Sequence, residues 1–322
     1  MQEQPLFIAT IEPVSADTQL VTLVNSTDET ALPHTHLYTL QEGKAPLLLV
    51  TGNALFTGVA VSVGRYVYFA GYNGHVITNC PDFHFTNPSQ EDIFFYEPNE
   101  KVEFRMGRVT DSDIVLSIGL NKGNRIIFFA KDGSVLIYSN AGYECKTHIS
   151  ADPVCCCQND KGHVYVGTEE GRIWLLDGKK TNELSMPETG LPRAVISGIT
   201  VAPTGDIYVV SRNGFIAKKT IDNDFLIIKA PINHYNGVAF IAGIMYVSAR
   251  EGLFSIKELD GEITLIPLRN TFNPLSMLSY RNELFLTSAN PRATPYFVKA
   301  IPGNNIDKLE ACYTVNLSYE AK

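Results

Sequence analysis

The chain lacks most of the features that announce a function. Its Lys and Arg form no basic run, and 26 Lys+Arg against 34 Asp+Glu leave a formal net charge of -8. A nucleic-acid backbone would meet a repulsive average field, so nucleic acid is not expected as a partner, whereas a basic protein would be attracted. No run approaches the roughly eighteen apolar residues that a membrane-crossing helix needs, so no membrane partner is expected either. The N-terminal MQEQPLFIATIEPVSAD has no basic n-region, and its apolar stretch Leu6–Ile11 is short for a signal-peptide core. Six Cys without such a leader predict free thiols in a reducing, cytoplasmic setting. No stretch keeps the i, i+3, i+4, i+7 helical period over three turns. Also missing are a Gly-x-Ser-x-Gly elbow, a phosphate-binding loop and a His-Glu-x-x-His helix, whose absence favours a binding protein over an enzyme.

What the chain does have is apolar material and a repeat. Hydrophobic residues make up 45% and charged residues 19%, enough for a large core. A unit of apolar strand, short turn, β-branched and aromatic strand, polar-Gly turn and third strand recurs about every 40 residues. Clear copies are GVAVSVGRYVYFAGYNGHVITN (58–79), SDIVLSIGLNKGNRIIFFAKDGSVLIYSN (112–140) and DPVCCCQNDKGHVYVGTEEGRIWLL (152–176). Further copies start at Ser197, at Asn236 and, more weakly, at Pro274. Second strands are expected to begin near Leu20, Val67, Ile126, Val164, Ile207, Met245 and Leu284. Tyr72-Asn73-Gly74, Lys131-Asp132-Gly133, Glu169-Glu170-Gly171, Arg212-Asn213-Gly214 and Arg250-Glu251-Gly252 punctuate five units, as hairpin turns needing positive φ do.

This pattern predicts an all-β fold, a β-propeller of about seven four-stranded blades, in a single domain over residues 1–322 with an insertion at about 81–100. Six and eight blades are the alternative counts. Fourth strands are expected near Pro46–Val50, Ile93–Tyr96, Cys145–Ile149, Glu183–Met186, Phe225–Lys229, Ile263–Pro267 and Ala311–Ser318. PLFIATIEP either forms the first strand of the first blade or completes the last one.

ISGITVAPTGDIYVVSRNG (196–214) and YNGVAFIAGIMYVSAREG (235–252) resemble the blades of NHL-type and gluconolactonase-type propellers; the other five units match loosely. The resemblance implies the fold. It also implies an alternative function: a metal-dependent hydrolase or lactonase, with calcium or another divalent metal held by carboxylates and Asn side chains in a central channel. Asn236 matches the Asn of one Asn-Gly motif. Ser197 stands at that place one blade earlier, and Asn273-Pro274 one blade later lacks the family's Asp-Gly. Glu12 would supply the first-strand carboxylate if the first blade begins there.

Other chemistry is thin. Adjacent strand residues face opposite ways, so Cys155 and Cys157 share a face and Cys156 takes the other; buried thiols in a packed strand are the expectation. The His34/His36 pair and the Cys80/His84 pair each lack a second half-site. No catalytic residue and no cofactor are expected. Recognition is expected from loops at one end of the blades, with Tyr72, Arg212, Tyr235, Arg250 and Arg292 as partner-binding residues, since Tyr and Arg dominate interface hot spots. The aromatic, acidic insertion at 81–100 is a second candidate surface. The functional expectation is a non-enzymatic protein-binding propeller, in its narrower form a bacterial immunity protein that neutralises a toxin by occluding it.

Overall fold

The computed structural model describes residues 6–15, 17–25, 34–63, 65–86, 96–98, 103–120, 124–139, 142–184, 186, 194–222, 224–229, 234–259, 262–269, 274–280, 283–288, 296–303 and 307–316. Among them there is no α-helix, only a single 3-10 turn at Tyr72–Gly74. The strands form seven antiparallel sheets. Blade 1 comprises β1 (Leu6–Pro13), β2 (Thr18–Asn25), β3 (Thr35–Gln41) and β4 (Leu47–Gly52). Blade 2 comprises β5 (Phe56–Val61), β6 (Val67–Gly71), β7 (His75–Thr78) and, after β8 (Tyr96–Pro98), β9 (Arg105–Arg108). Blade 3 is β10 (Ile114–Gly119), β11 (Arg125–Ala130), β12 (Ser134–Ser139) and β13 (Gly142–His148). Blade 4 is β14 (Pro153–Gln158), β15 (Val164–Thr168), β16 (Ile173–Asp177) and β17 (Lys180–Leu184). Blade 5 is β18 (Ile196–Val201), β19 (Ile207–Ser211), β20 (Phe215–Lys219) and β21 (Leu226–Lys229). Blade 6 is β22 (Tyr235–Ile241), β23 (Ile244–Ala249), β24 (Gly252–Leu259) and β25 (Glu262–Arg269). Blade 7 is β26 (Pro274–Tyr280), β27 (Glu283–Ser288), β28 (Tyr296–Pro302) and β29 (Leu309–Asn316). These are the blades of a β-propeller, seven in number as the repeat predicts.

Contacts divide the chain into two compact units, one holding blades 1–3 and the other blades 4–7. Within each unit the first strands of successive blades pack side by side. Within each unit successive blades also meet through an apolar slab. Between blades 1 and 2 it contains Leu20, Leu37, Val50, Phe56, Val59, Phe69 and Ile77; between blades 4 and 5, Ile173, Ile196, Ile199, Val209 and Phe215. Each such side chain, fully buried, contributes roughly 1.5–3 kcal/mol relative to exposure.

A regular irregularity marks the first strand of every blade. Its pairing with the second strand slips by one residue at Ala9, Thr57, Val115, Val154, Ser197, Asn236 and Leu275. A bulge at this point bends the strand and increases its local twist. Hydroxyls at two of these bulges also tie blade to blade: Ser197 Oγ donates to Tyr235 O at 2.6 Å, and Thr57 Oγ1 donates to Val115 O at 3.4 Å.

One detail departs from the sequence-based expectation, and one open alternative is decided. The fourth strand of blade 2 is β9, not Ile93–Tyr96; the insertion separates it from β7, and β8 runs back to pair with β4 as a fifth strand on blade 1. A sequence of Ile and Phe followed by Tyr has strand propensity, but propensity does not say which sheet edge receives it. The N-terminal segment is the first strand of blade 1, and β29 completes blade 7 with its own neighbours, so among the described residues no sheet combines strands from the two ends of the chain.

The insertion's first aromatics also turn inward. Phe83 is buried among Tyr68, Phe128 and Tyr138, with ring centroids 4.9–6.4 Å apart, and Phe85 stacks edge-on against Phe83. They fill the slab between blades 2 and 3 rather than presenting a surface. Phe94 and Phe95 lie outside the described residues.

Candidate functional site

The turn after each second strand lies at the same end of its blade as the start of the first strand. In five blades one backbone bond fixes that turn. The N–H of its first residue donates to the carbonyl just before the first strand: Tyr72 to Leu55 (2.9 Å), Lys131 to Asp113 (2.8 Å), Glu169 to Asp152 (3.0 Å), Arg212 to Val195 (3.1 Å) and Arg250 to His234 (3.1 Å). The turn glycines then accept from the chain leaving the fourth strand, Gly74 from Val109 N–H and Gly133 from Ile149 N–H, both at 2.9 Å. Gly74 is held at φ +71°, where a Cβ would stand 2.0 Å from Thr110 O. Glycine is required there by both the left-handed backbone and the space.

On this shared backbone bond the tips present different side chains. Tyr72, Lys131, Asp132, Glu169, Glu170, Arg212, Asn213, Arg250 and Glu251 are all exposed. In blade 2 the tip is further cross-linked. Arg108 donates through Nε to Asn73 O and through Nη2 to Asn73 Oδ1, both at 3.1 Å, and through Nη2 to Asp111 Oδ1 at 2.7 Å. Asn73 N–H in turn donates to Asp113 Oδ1 at 2.7 Å. Tyr72 is left 37% exposed beside Leu55, itself 43% exposed, within an acidic frame of Asp111, Asp113 and Asp132.

The sequence-predicted residues fall into three groups. Tyr72, Arg212 and Arg250 are exposed on these tips. Tyr235 is fully buried, 0% exposed, at the start of β22 in the slab between blades 5 and 6. Its side chain cannot touch a partner; it supports the Arg250 tip, whose backbone bonds to the neighbouring His234. The sequence places Tyr235 next to a loop, but strand alternation turns it inward. Arg292 lies outside the described residues. Leu55 and Arg108 are the residues that sequence reasoning missed. Neither belongs to the glycine-turn motif, and only the pairing of loop with turn brings them to it.

Asn236 occupies the bulge of β22, half-buried. The six equivalent bulge positions carry Ala9, Thr57, Val115, Val154, Ser197 and Leu275. None is a carboxylate, the usual ligand of a hard divalent cation. Among the described residues no group of three or more His, Cys, Asp or Glu could hold a metal ion.

Three residues beyond the bulge, blade 1 carries Glu12, the one ionisable carboxylate at a position filled elsewhere by Ala60, Ile118, Cys157, Thr200, Ala239 and Leu278. Glu12 opposes Leu20 in β2 and retains some accessibility, yet desolvation pushes its carboxyl up to about 8. Cys155 and Cys157 pack against the blade 4–5 slab. Desolvation first, then the neighbouring thiol Cys156, holds both above the usual thiol range, so they stay protonated and weakly nucleophilic. His36 is pushed down by burial and by nearby His34, and its Nδ1 pairs with Thr51 Oγ1 at 2.7 Å. Cys80 is buried in the slab between blades 2 and 3.

No protein-family model matches the chain, and no curated protein sequence matches it. Solved structures do. A catalytically inactive variant of virginiamycin B lyase from Staphylococcus aureus, determined with quinupristin, aligns with a TM-score of 0.65 at 10% identity, over 89% of this chain and 94% of that one. The WD40 β-propeller domain of Doa1 aligns with a TM-score of 0.60 at 12% identity, over 90% of this chain and 93% of that one. BamB from Moraxella catarrhalis aligns with a TM-score of 0.56 at 13% identity, over 95% and 87%. At such identities the likeness shows the β-propeller fold alone.

Proposed function

We propose that the chain is a non-enzymatic protein-binding propeller that recognises its partner through the tips of the second-to-third-strand turns. One observation carries this reading: five tips share the same backbone lock and differ in the exposed side chains they present. Constant scaffold with variable tips is the arrangement by which rigid folds carry recognition. Tyr72 and Leu55, set among Asp111, Asp113 and Asp132, offer an apolar contact inside an acidic rim. Arg212 and Arg250 offer exposed guanidinium groups. The overall charge of -8 favours a basic partner through steering. The narrower form of the proposal is an immunity protein whose tips cover a toxin's active site.

The test is co-purification from the native host with wild type and with a Tyr72→Ala/Arg212→Ala/Arg250→Ala variant. A partner held by wild type and lost by the variant, at unchanged melting temperature, supports the reading. A partner retained by the variant, or no stable partner, sinks it. Inhibition of that partner's own activity would support the immunity form.

A further inference from the structure

The fourth strand of a blade has a sheet neighbour on one side only, so its outer row of N–H and C=O groups is open to pairing with another chain. A charged residue in such a strand opposes that pairing, because a second copy brings a like charge towards it. Six of the seven fourth strands carry at least one: Arg105 in β9, Glu144 in β13, Lys180 in β17, Lys229 in β21, Glu262 in β25 and Glu310 in β29. The seventh, β4, reads LLLVTG over Leu47–Gly52. It has neither a charge nor a proline, and Leu47 is 41% exposed.

Among the described residues β4 is also the one fourth strand that a fifth strand covers. β8 lies antiparallel on it, with Tyr96 opposite Gly52, Glu97 opposite Thr51 and Pro98 opposite Val50. The register of β4 on β3 slips at Leu49, and a bulge locally disrupts the ladder. The bulge therefore interrupts the edge at Leu49, and β8 occupies the three residues beyond it. β8 also brings to this edge the residue types that β4 lacks, the charged Glu97 and Pro98, which has no N–H. Three paired residues hold few ladder bonds, so the cover opens at lower cost than a full-length strand.

We propose that the outer edge of β4 is a strand-pairing surface for a second copy of this chain, kept closed by β8 of the same chain. Charge selects the occupant. A two-fold axis lays β4 antiparallel against its own copy, so the strand must be complementary to itself. In the other six fourth strands the same operation brings like charges together. In β4 it brings together only uncharged residues, most of them apolar. The surface does not rest on the protein-binding reading.

The test is Tyr96→Pro/Glu97→Pro in the full chain, which leaves residues 96–98 without an N–H for the ladder. Amide hydrogen exchange at Val50–Gly52 is expected to speed up at least about tenfold. Sedimentation should then show a species of twice the monomer mass whose share rises with concentration, where wild type stays monomeric. Leu47→Lys in the same background should restore the monomer, and the exposure of Leu47 lets the fold accept the charge. Tyr96→Gly/Glu97→Gly, read by the same two measurements, serves if the proline pair does not fold. Unchanged exchange in β4, accelerated exchange without a dimer, a dimer untouched by Leu47→Lys, or a wild type that dimerises as strongly overturns the proposal. None of these outcomes bears on partner capture by the tips.

Discussion

The two compact units fill equivalent positions with opposite chemistry. In the unit of blades 1–3, ionisable groups are drawn into the structure: Glu12 sits on a first strand, and Arg108 cross-links the Tyr72 tip through Asn73 and Asp111. In the unit of blades 4–7, the position of Glu12 is taken by Cys157 and the tips carry Arg212 and Arg250, which make no ion pair among the described residues. Away from those two tips, Lys218 donates to Glu258 at 3.1 Å above the Tyr208 ring. Burial opposes the Lys218 charge, but the bonds to Glu258 and Tyr208 outweigh it and raise its pKa. The difference separates two uses of one repeat. Charges on fixed tips hold a shape, and charges on unrestrained tips are available to a partner.

The comparison is broken most severely at the turn glycines. Gly74→Ala puts a Cβ against Thr110 O at a positive φ, and a loss of about 3 kcal/mol is expected in urea unfolding. Gly178→Ala in blade 4 has the same sign of φ, +60°, but open space around it, and should cost only about 1 kcal/mol. Equal losses would mean that the contact with Thr110 carries no weight.

The next largest effect is at Glu12. Its carboxyl is raised from 4.5 to about 8 in the folded chain, so the folded state holds a proton that the unfolded state has released between those values. The uptake stabilises fully below about pH 4.5, and the benefit is lost as pH rises towards 8. Because Glu12 retains some access to solvent, we expect about 2 kcal/mol of stability to disappear between pH 5 and pH 8, less than the linkage limit of roughly 1.4 kcal/mol per unit. Glu12→Gln should flatten that slope. Cys157→Ala, at the equivalent place in blade 4, should change stability without changing the slope. A slope surviving in Glu12→Gln would assign the pH dependence elsewhere.

The fold was largely legible because a blade is a local object. Strand alternation and a glycine turn are written within about 40 residues, so the second strands at Val67, Val164 and Ile207 begin where the sequence places them. What was not legible depends on contacts between segments far apart. The return of β8 to the edge of blade 1 is chosen by tertiary pairing with Thr51, not by propensity. The inward turn of Tyr235 depends on where strand alternation starts, and one bulge residue shifts that phase. The roles of Leu55 and Arg108 at the Tyr72 tip come from a backbone bond across 17 residues and from side-chain bonds across 35, distances at which no motif is read.

The smallest effects on stability decide the functional reading. Arg108→Ala removes two bonds to a half-buried Asn73, and a loss of about 1–2 kcal/mol is expected. Its bond to Asp111 adds little, because that carboxylate is 93% exposed. Arg212→Ala and Arg250→Ala should fall within about 0.5 kcal/mol of wild type, since neither side chain is bonded to another described residue. Partner affinity is expected to run the other way, falling with the two unrestrained arginines and falling with Arg108 only as far as the Tyr72 tip loosens. If Arg212→Ala and Arg250→Ala leave both stability and partner affinity untouched, the unrestrained tips are solvated surface, and recognition must lie with the cross-linked tip alone.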